Sequence, residues 1–339
     1  MSVLQYHYKP AHGWMNDPNG LVFFNGYYHA FYQYIPDAEL PTKPMCWGHA
    51  RTKDFVTWEE LPIALYPDRP YDQGGAWSGT AIEKDGVLYL FYASVVVRDG
   101  TMVQTISVAF SRDGLHFEKY ENNPVIDHYP ADGSEDFRDP AIFSENGKNY
   151  LVIASGQEGR KKGNLLLYTA DDFFHWTYAG VLIDFENTAF CECPSFVKMG
   201  DKYLLSTSVC APDEHWFEVM VGDFDGRTFT PLIRSRFQKG PDEYAGQIFR
   251  APDGRVILIS WVGGWHHREY EPCVGCLSLP LEISEKDGKL AAYPVRELRH
   301  LVKDGKVVDG YVEETFVRGG EEVYIRLLPE KIPFKKIEQ

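Results

Sequence analysis

Three acidic residues occupy one recurring place in this chain. Asp17 lies nine residues before Gly26, Asp139 eight before Gly147, and Glu192 eight before Gly200. Each glycine sits in a short turn between two apolar runs, so each acid marks the entry to the first strand of a hairpin. Carboxylates drawn from separate segments into one pocket suit two chemistries, cation binding and glycosyl transfer to water. A calcium site would draw on a dense acidic loop with regularly spaced oxygen ligands, and none surrounds these positions. Glycoside hydrolysis asks for one ionised carboxylate and one that holds a proton near neutral pH. Asp17 lies between Asn16 and Pro18-Asn19-Gly20, where amide and backbone donors are expected to steady an anion and lower its pKa. Glu192 is flanked by Phe190-Cys191 and Cys193-Pro194; a dry setting with two acids nearby is expected to raise its pKa, as an acid donor requires. Any one acid taken alone reads equally well as a surface charge. Three at equivalent positions argue for a shared pocket.

The elements that must position them repeat. Apolar strand, turn with glycine, apolar strand recurs at Gly20–Tyr28, Thr80–Tyr89, Ala141–Tyr150, Phe196–Tyr203 and Ile248–Val256. The turn glycines Gly26, Gly86, Gly147, Gly200 and Gly254 are 60, 61, 53 and 54 residues apart. Between them an acidic turn leads to an aromatic residue, at Trp58, Phe117, Trp176 and Phe229. A unit of this length with about four strands is the size of a propeller blade, and helical periodicity is not sustained over any comparable stretch. Five such units fill residues 10–295, which predicts an all-β, five-bladed β-propeller over residues 1–295. The innermost strands of a propeller surround its channel, so Asp17, Asp139 and Glu192 converge from units one, three and four. Units two and five carry Trp77-Ser78-Gly79 and Ala245-Gly246 at the same place.

Composition narrows the partners. The net charge is −15, and the longest cationic run is the short Arg160-Lys161-Lys162, which argues against nucleic acid or an anionic membrane surface. No apolar run approaches the roughly 18 residues of a membrane span. The first residues show neither a basic n-region nor an apolar h-region, so a cytoplasmic location without signal peptide is the expectation. Of the six cysteines, Cys273-Val-Gly-Cys276 has a metal-like spacing but lies in an apolar run that reads as a buried strand, so reduced thiols are expected and no metal or cofactor.

Trp14-Met15-Asn16-Asp17-Pro18-Asn19-Gly20, Phe137-Arg138-Asp139-Pro140 and Glu192-Cys193-Pro194 resemble the three signature motifs of glycoside hydrolase family 32. Phe31-Tyr32-Gln33-Tyr34, Trp47-Gly48-His49-Ala50 and Leu277-Ser278-Leu279-Pro280 match as well, and the resemblance runs in order from about residue 5 to 300. That family holds invertases, sucrose-6-phosphate hydrolases, inulinases, levanases and some fructosyltransferases. The resemblance implies a β-fructofuranosidase-type enzyme that releases terminal β-D-fructofuranosyl units from sucrose or short fructo-oligosaccharides, retaining configuration through a covalent intermediate. It implies Asp17 as nucleophile, Glu192 as general acid/base and Asp139 as transition-state stabiliser. Asn16, Gln33, Trp47, Trp77, Ser78 and Arg138 are implied to line the fructosyl pocket. Core packing is the plainer reading of Trp47, and an ion pair that orients Asp139 is the plainer reading of Arg138.

This chain departs from the family pattern at Cys191, where Trp is usual, and at Ser195, where Asp or Val is usual. Both flank the acid/base and put its proton affinity and the leaving-group side in question. The family also appends a β-sandwich. Here residues 296–339 offer one strand pair, near Tyr311–Val317 and Glu322–Leu328, which reads as a peripheral hairpin with a frayed end. Packing on the propeller, or pairing with a second copy to form an oligomer, are its other readings. Rival functions are a fructosyltransferase on the same scaffold, a pentosidase of a related propeller family, and a non-catalytic fructan-binding propeller. His266, His267 and Arg268 are the one cluster suited to a phosphate at the pocket rim, with a solvated loop as the plainer reading.

Overall fold

The computed structural model describes residues 4–38, 40–157, 162–263 and 265–336; Arg160 and Lys161 of the cationic run lie outside the described residues. Five antiparallel sheets follow one another along the chain. Blade I is built from Trp14–Phe24, Tyr27–Ile35, Cys46–Thr52 and Trp58–Leu65, and blade II from Gly75–Lys84, Val87–Arg98, Thr101–Ser111 and Glu118–Lys119. Blade III comprises Phe137–Glu145, Lys148–Gly156, Lys162–Ala170 and Thr177–Glu186; blade IV comprises Phe190–Met199, Lys202–Cys210, His215–Phe224 and Phe229–Ser235. Blade V starts with Glu243–Arg250 and Val256–Val262. Its third strand is split into Cys276–Leu277 and Leu281–Lys286, and Lys289–Pro294 closes it. Cys273, expected inside a buried strand, is buried in the coil just before Cys276–Leu277, and all six cysteines are free and buried.

The turn chemistry explains why each blade starts where it does. All five turn glycines have φ between 64° and 89°, a region without steric cost only for residues lacking Cβ. Asn25, Asp85 and Asn146 precede three of them with φ near 50°, giving the two-residue hairpin turns that Asn-Gly and Asp-Gly favour. The acidic turns are pinned just as locally. Asp54, Asp113, Asp172 and Asp225 each accept from the backbone N–H two and three residues on.

The first strands of the blades form a ring, each packed on the next and the fifth back on the first. Side chains tie their free edges across blades. Thr80 accepts from Ile142 N and donates to Pro140 O, Ser195 accepts from Ile248 N, and Gln247 reaches both Leu21 N and Gly79 O. A buried strand edge thus finds its partners without continuous sheet. At Gly79 a Cβ would meet the Phe91 carbonyl oxygen at 1.9 Å, so only glycine lets the strands approach here.

The C-terminal segment contains the expected hairpin, Val312–Val317 with Glu322–Leu327, joined by a third strand, Lys306–Asp309. It is not peripheral. Tyr311, Val312, Val323 and Ile325 are at most 1% exposed and share one core with Val219 of blade IV and Leu258 of blade V. Polar clamps complete the seat. Asp242 and Glu243 accept from Leu327 N and Ile325 N, and Glu314 accepts from Leu279 N. Asp309 accepts from the backbone of Gln5, Tyr6 and His7. His7 itself lies between Asp309 (2.9 Å) and Glu314 (3.2 Å). Burial alone would push its pKa down, but the two carboxylates outweigh that and hold it at about 9, while the His7 contact helps draw Asp309 down to about 2 against the pull of burial.

Because the His7 pKa is raised in the fold, its stabilising contribution is complete below the unfolded value of about 6.5 and is lost as pH rises through 9. The depressed value of Asp309 keeps its share in place until pH falls toward 2. Replacing His7 by Gln leaves two buried carboxylates without their cation and is expected to cost roughly 3–5 kcal/mol. Urea unfolding at pH 6 and at pH 9.5 checks this: the deficit is expected to be large at the lower pH and to shrink at the higher.

Candidate active site

At one end of the ring the first strand of every blade is irregular. Register breaks fall between Met15 and Pro18, Trp77 and Gly79, Arg138 and Ala141, Glu192 and Ser195, and Tyr244 and Gln247. A bulge places two residues against one and re-aims side chains. Asp139 (φ 56°), Cys193 (φ 48°) and Ala245 (φ 53°) take the left-handed conformation that such bulges use, and strain of this kind gathers at working sites. Here the bulges turn the acids from the blade faces into the channel.

They open on a cavity of about 900 Å³. Asp17, Asp139 and Glu192 all line it, together with Asn16, Gln33, Trp77, Ser78 and Arg138. Asp17 is held by Ser78 Oγ (2.7 Å) and Asn16 Nδ2 (3.2 Å), and Asn16 is fixed in turn by Trp14 Nε1 (2.7 Å). The Cys193 backbone N–H donates to Asp139 Oδ2 at 2.8 Å. Its thiol lies 3.5 Å from both that oxygen and Asp17 Oδ2, so the nucleophile and stabiliser candidates meet across one sulfur. Arg138 donates from Nε and Nη2 to Glu192 Oε1, each at 3.1 Å, and from Nη1 to Asp136 and Gln104. Gln33 donates to the Ala76 carbonyl.

Electrostatics follow from crowding. Burial raises the Asp17 pKa, and Glu192 adds to the rise; bonds from Ser78, Asn16 and Cys193 oppose it without cancelling it. The lowered value expected from its neighbours in sequence is therefore corrected. Local donors were legible, whereas the desolvation and the second charge come from other blades. Asp139 is pushed up to about 7, by burial first, with Arg138 pulling down and Glu192 and Asp17 pushing up. Burial among these carboxylates keeps the Cys193 thiol protonated. Carboxylates this close titrate as a set, and the cluster holds onto protons that isolated acids would release.

Two further expectations change. Trp47 is fully buried, does not line the cavity, and donates its indole N–H to the Trp77 carbonyl at 2.9 Å. It packs behind Trp77 between blades I and II. Arg138 hydrogen-bonds Glu192 and Asp136, and reaches Asp139 through its charge. Sequence reasoning missed Tyr244, whose hydroxyl donates to Glu192 Oε2 and which lies one residue before the Ala245-Gly246 pair already aligned with the acids. It also missed Cys210, 3.7 Å from the same oxygen. Arg268, read as part of a solvated loop, lines the cavity and lies 5.9 Å from the Trp14 ring. His267 is tied to Asp242 instead.

The model of the glycosyl hydrolases family 32 N-terminal domain matches residues 7–294. The chain belongs to glycoside hydrolase family 32. A sucrose-6-phosphate hydrolase of Zymomonas mobilis is 34% identical over 330 residues, covering 89% of this chain and 64% of that protein. The chain thus spans somewhat under two thirds of the length of that curated relative. Among solved structures of the family, a beta-fructofuranosidase of Bombyx mori superposes with a TM-score of 0.85 at 25% identity, covering 96% of this chain and 89% of that one. The sucrose-6-phosphate hydrolase of Lactobacillus gasseri gives 0.81 at 29% identity, covering 92% and 67%. Family 32 membership and the five-bladed fold agree with what the motifs implied.

A carboxyl whose folded pKa is raised contributes stability in full below its unfolded value, and that contribution drains away as pH climbs through the folded one. For Asp139 the window runs from the ordinary carboxylate range to about 7. Asp139→Asn keeps an acceptor for Cys193 N and suits the left-handed backbone, yet removes the charge. Melting curves are expected to place this variant above the wild type by a few degrees at pH 8, with the gap narrowing at pH 5 and closing toward pH 4.

Proposed function

We propose that the protein is a retaining β-fructofuranosidase, with residues 1–295 carrying the chemistry and residues 296–336 bracing blade V. The observation that carries this reading is that Asp17, Asp139 and Glu192, from three blades, line one cavity. In this reading Asp17 attacks the anomeric carbon of a fructofuranosyl unit while Glu192 protonates the departing oxygen. Glu192 then takes a proton from water, which releases the sugar with configuration retained. Asp139 accepts from ring hydroxyls and offsets positive charge on the oxocarbenium-like transition state. Arg138 holds Glu192 in place, and Asn16 and Ser78 hold Asp17. Retention needs the two carboxyl groups about 5–5.5 Å apart, too close for a water between them.

The outer cavity wall bears on the leaving group. Beyond the fructosyl pocket the charged side chains that line it among the described residues are Arg268 and Lys43, the latter ion-paired with Asp37. The Arg268 guanidinium at this mouth is a group that can meet a phosphate on the leaving sugar, and the relatives named for sucrose 6-phosphate accord with such a leaving group.

Incubation with sucrose, sucrose 6-phosphate, 1-kestose, inulin and levan is expected to release free fructose from at least one, as the β-anomer first by NMR. Asp17→Asn and Glu192→Gln are each expected to lower kcat by about 1000-fold or more while remaining folded. Undiminished turnover by Asp17→Asn rules the mechanism out, and fructosyl oligomers in place of fructose at high sucrose point to a transferase. Arg268→Gln is expected to reduce kcat/KM about tenfold or more on sucrose 6-phosphate and by less than about twofold on sucrose.

A further inference from the structure

Glu192 has two oxygens in different company. Oε1 faces the Arg138 guanidinium, which only donates and cannot give up its charge, so a proton on Oε1 would confront two N–H groups. Oε2 faces the Tyr244 hydroxyl, and the Cys210 sulfur stands 3.7 Å away. Tyr244 oxygen and Cys210 Sγ are themselves 3.2 Å apart, in a contact where either can be the donor. The proton that Glu192 uses as an acid must therefore sit on Oε2.

Resting on the reading above, we propose that Tyr244 and Cys210 form a hydroxyl rotor that lets Glu192 exchange its acid and base states in one fixed position. When Glu192 is ionised, the Tyr244 O–H donates to Oε2. When Oε2 carries its proton, the Tyr244 O–H turns to Cys210 Sγ, and the phenol oxygen accepts from the carboxylic acid until the leaving oxygen takes the proton. Tyr244 gains and loses nothing. One proton passes from Glu192 to the leaving group, and one returns from water. Without the sulfur, the phenol hydrogen loses its alternative acceptor and is biased toward Oε2, which favours the ionised form of Glu192.

The fold supplies the two parts from neighbouring blades. Cys210 ends the strand paired with Phe190–Met199, directly across from Phe190, and is 3% exposed. Tyr244 stands at the bulge of blade V. Thr207 Oγ1 donates to the Glu192 carbonyl at 2.8 Å and fixes the backbone between them. Among the described residues the other ionisable groups acting on Glu192 are Arg138, Asp17 and Asp139 through their charges, and the thiols of Cys193 and Cys191, the latter also facing Cys210; the exposed His215 ring lies 6.3 Å from that of Tyr244. Burial pushes the Cys210 thiol up to about 12 and Tyr244 above its usual range, so both stay neutral and neither competes as a base. Both are positioning residues, acting through Glu192.

The test is the pH profile of kcat/KM for wild type, Cys210→Ala, Cys210→Ser and Tyr244→Phe. Two substrates are used: the fructoside that the wild type cleaves best and p-nitrophenyl β-D-fructofuranoside, whose leaving group departs without a proton. Cys210→Ala is expected to lower kcat/KM on the natural fructoside about tenfold and to move the basic limb down by about one pH unit. Rates on the nitrophenyl substrate stay within about twofold of wild type, and Cys210→Ser, which restores an acceptor, recovers both. Tyr244→Phe removes the donor to the ionised form and moves the same limb up. Opposite displacements by the two variants are the signature. The rotor is overturned if Cys210→Ala keeps the wild-type profile, if it loses equally on both substrates, or if both variants shift the limb the same way. Should Cys210→Ala fail to fold, Cys210→Val, which fills the space and offers no acceptor, takes its place: a limb moved down upholds the rotor, and an unchanged limb or one moved the same way as in Tyr244→Phe overturns it. A wild type that cleaves neither substrate overturns the hydrolase reading itself.

Discussion

Three carboxylates compelled to share one recess repel one another and lose their water, and the rest of the structure answers that constraint. A flexible scaffold would let them part. The ring of five first strands does not, because each is packed on two neighbours and stitched to them by Thr80, Ser195 and Gln247. Arg138 offsets one charge, and the donors Ser78, Asn16, Cys193 N and Tyr244 face the others. What is left uncompensated appears as the raised Asp17 and Asp139 values. That residue of electrostatic strain suits catalysis, since relief comes when positive charge develops on a sugar between the acids.

Bulges convert a repetitive scaffold into a directed one. Regular strands would alternate their side chains between the two faces of each blade, and none would look down the channel. An inserted residue near the start of each blade's first strand aims Asp17, Ser78, Asp139, Glu192 and Tyr244 at the cavity or its wall. The C-terminal sheet belongs to the same logic. Through Asp242 and Glu243 it grips the chain immediately before Tyr244, so a segment outside the propeller steadies a group that touches Glu192.

The blades were legible because turn chemistry is local: an Asn-Gly or Asp-Gly between apolar runs specifies a hairpin with no help from elsewhere. The three acids were legible for the same reason, since each lies eight or nine residues before its turn glycine. Trp47 was not, because Cys46–Thr52 is buried along nearly its whole length and gives no alternation to tell channel from core. Tyr244 comes from blade V with no spacing shared with Glu192, and only the assembled ring brings it to Glu192 and to Cys210, which ends the strand beside that of Glu192 in blade IV. The seating of the tail was hidden too, as its apolar residues complete a core whose other half lies in blades IV and V. Contacts made across blades decide charge and orientation, and sequence periodicity reports only contacts within them.

The most direct measurement of the central claim is a crystal structure of Glu192→Gln with an intact fructoside bound. The account predicts one fructofuranosyl ring in the cavity, its anomeric carbon about 3–3.5 Å from an Asp17 oxygen, with residue 192 on the opposite side beside the glycosidic oxygen and Asp139 on the ring hydroxyls. A sugar bound outside this cavity, or one with Asp17 and residue 192 on the same face of the anomeric carbon, contradicts it.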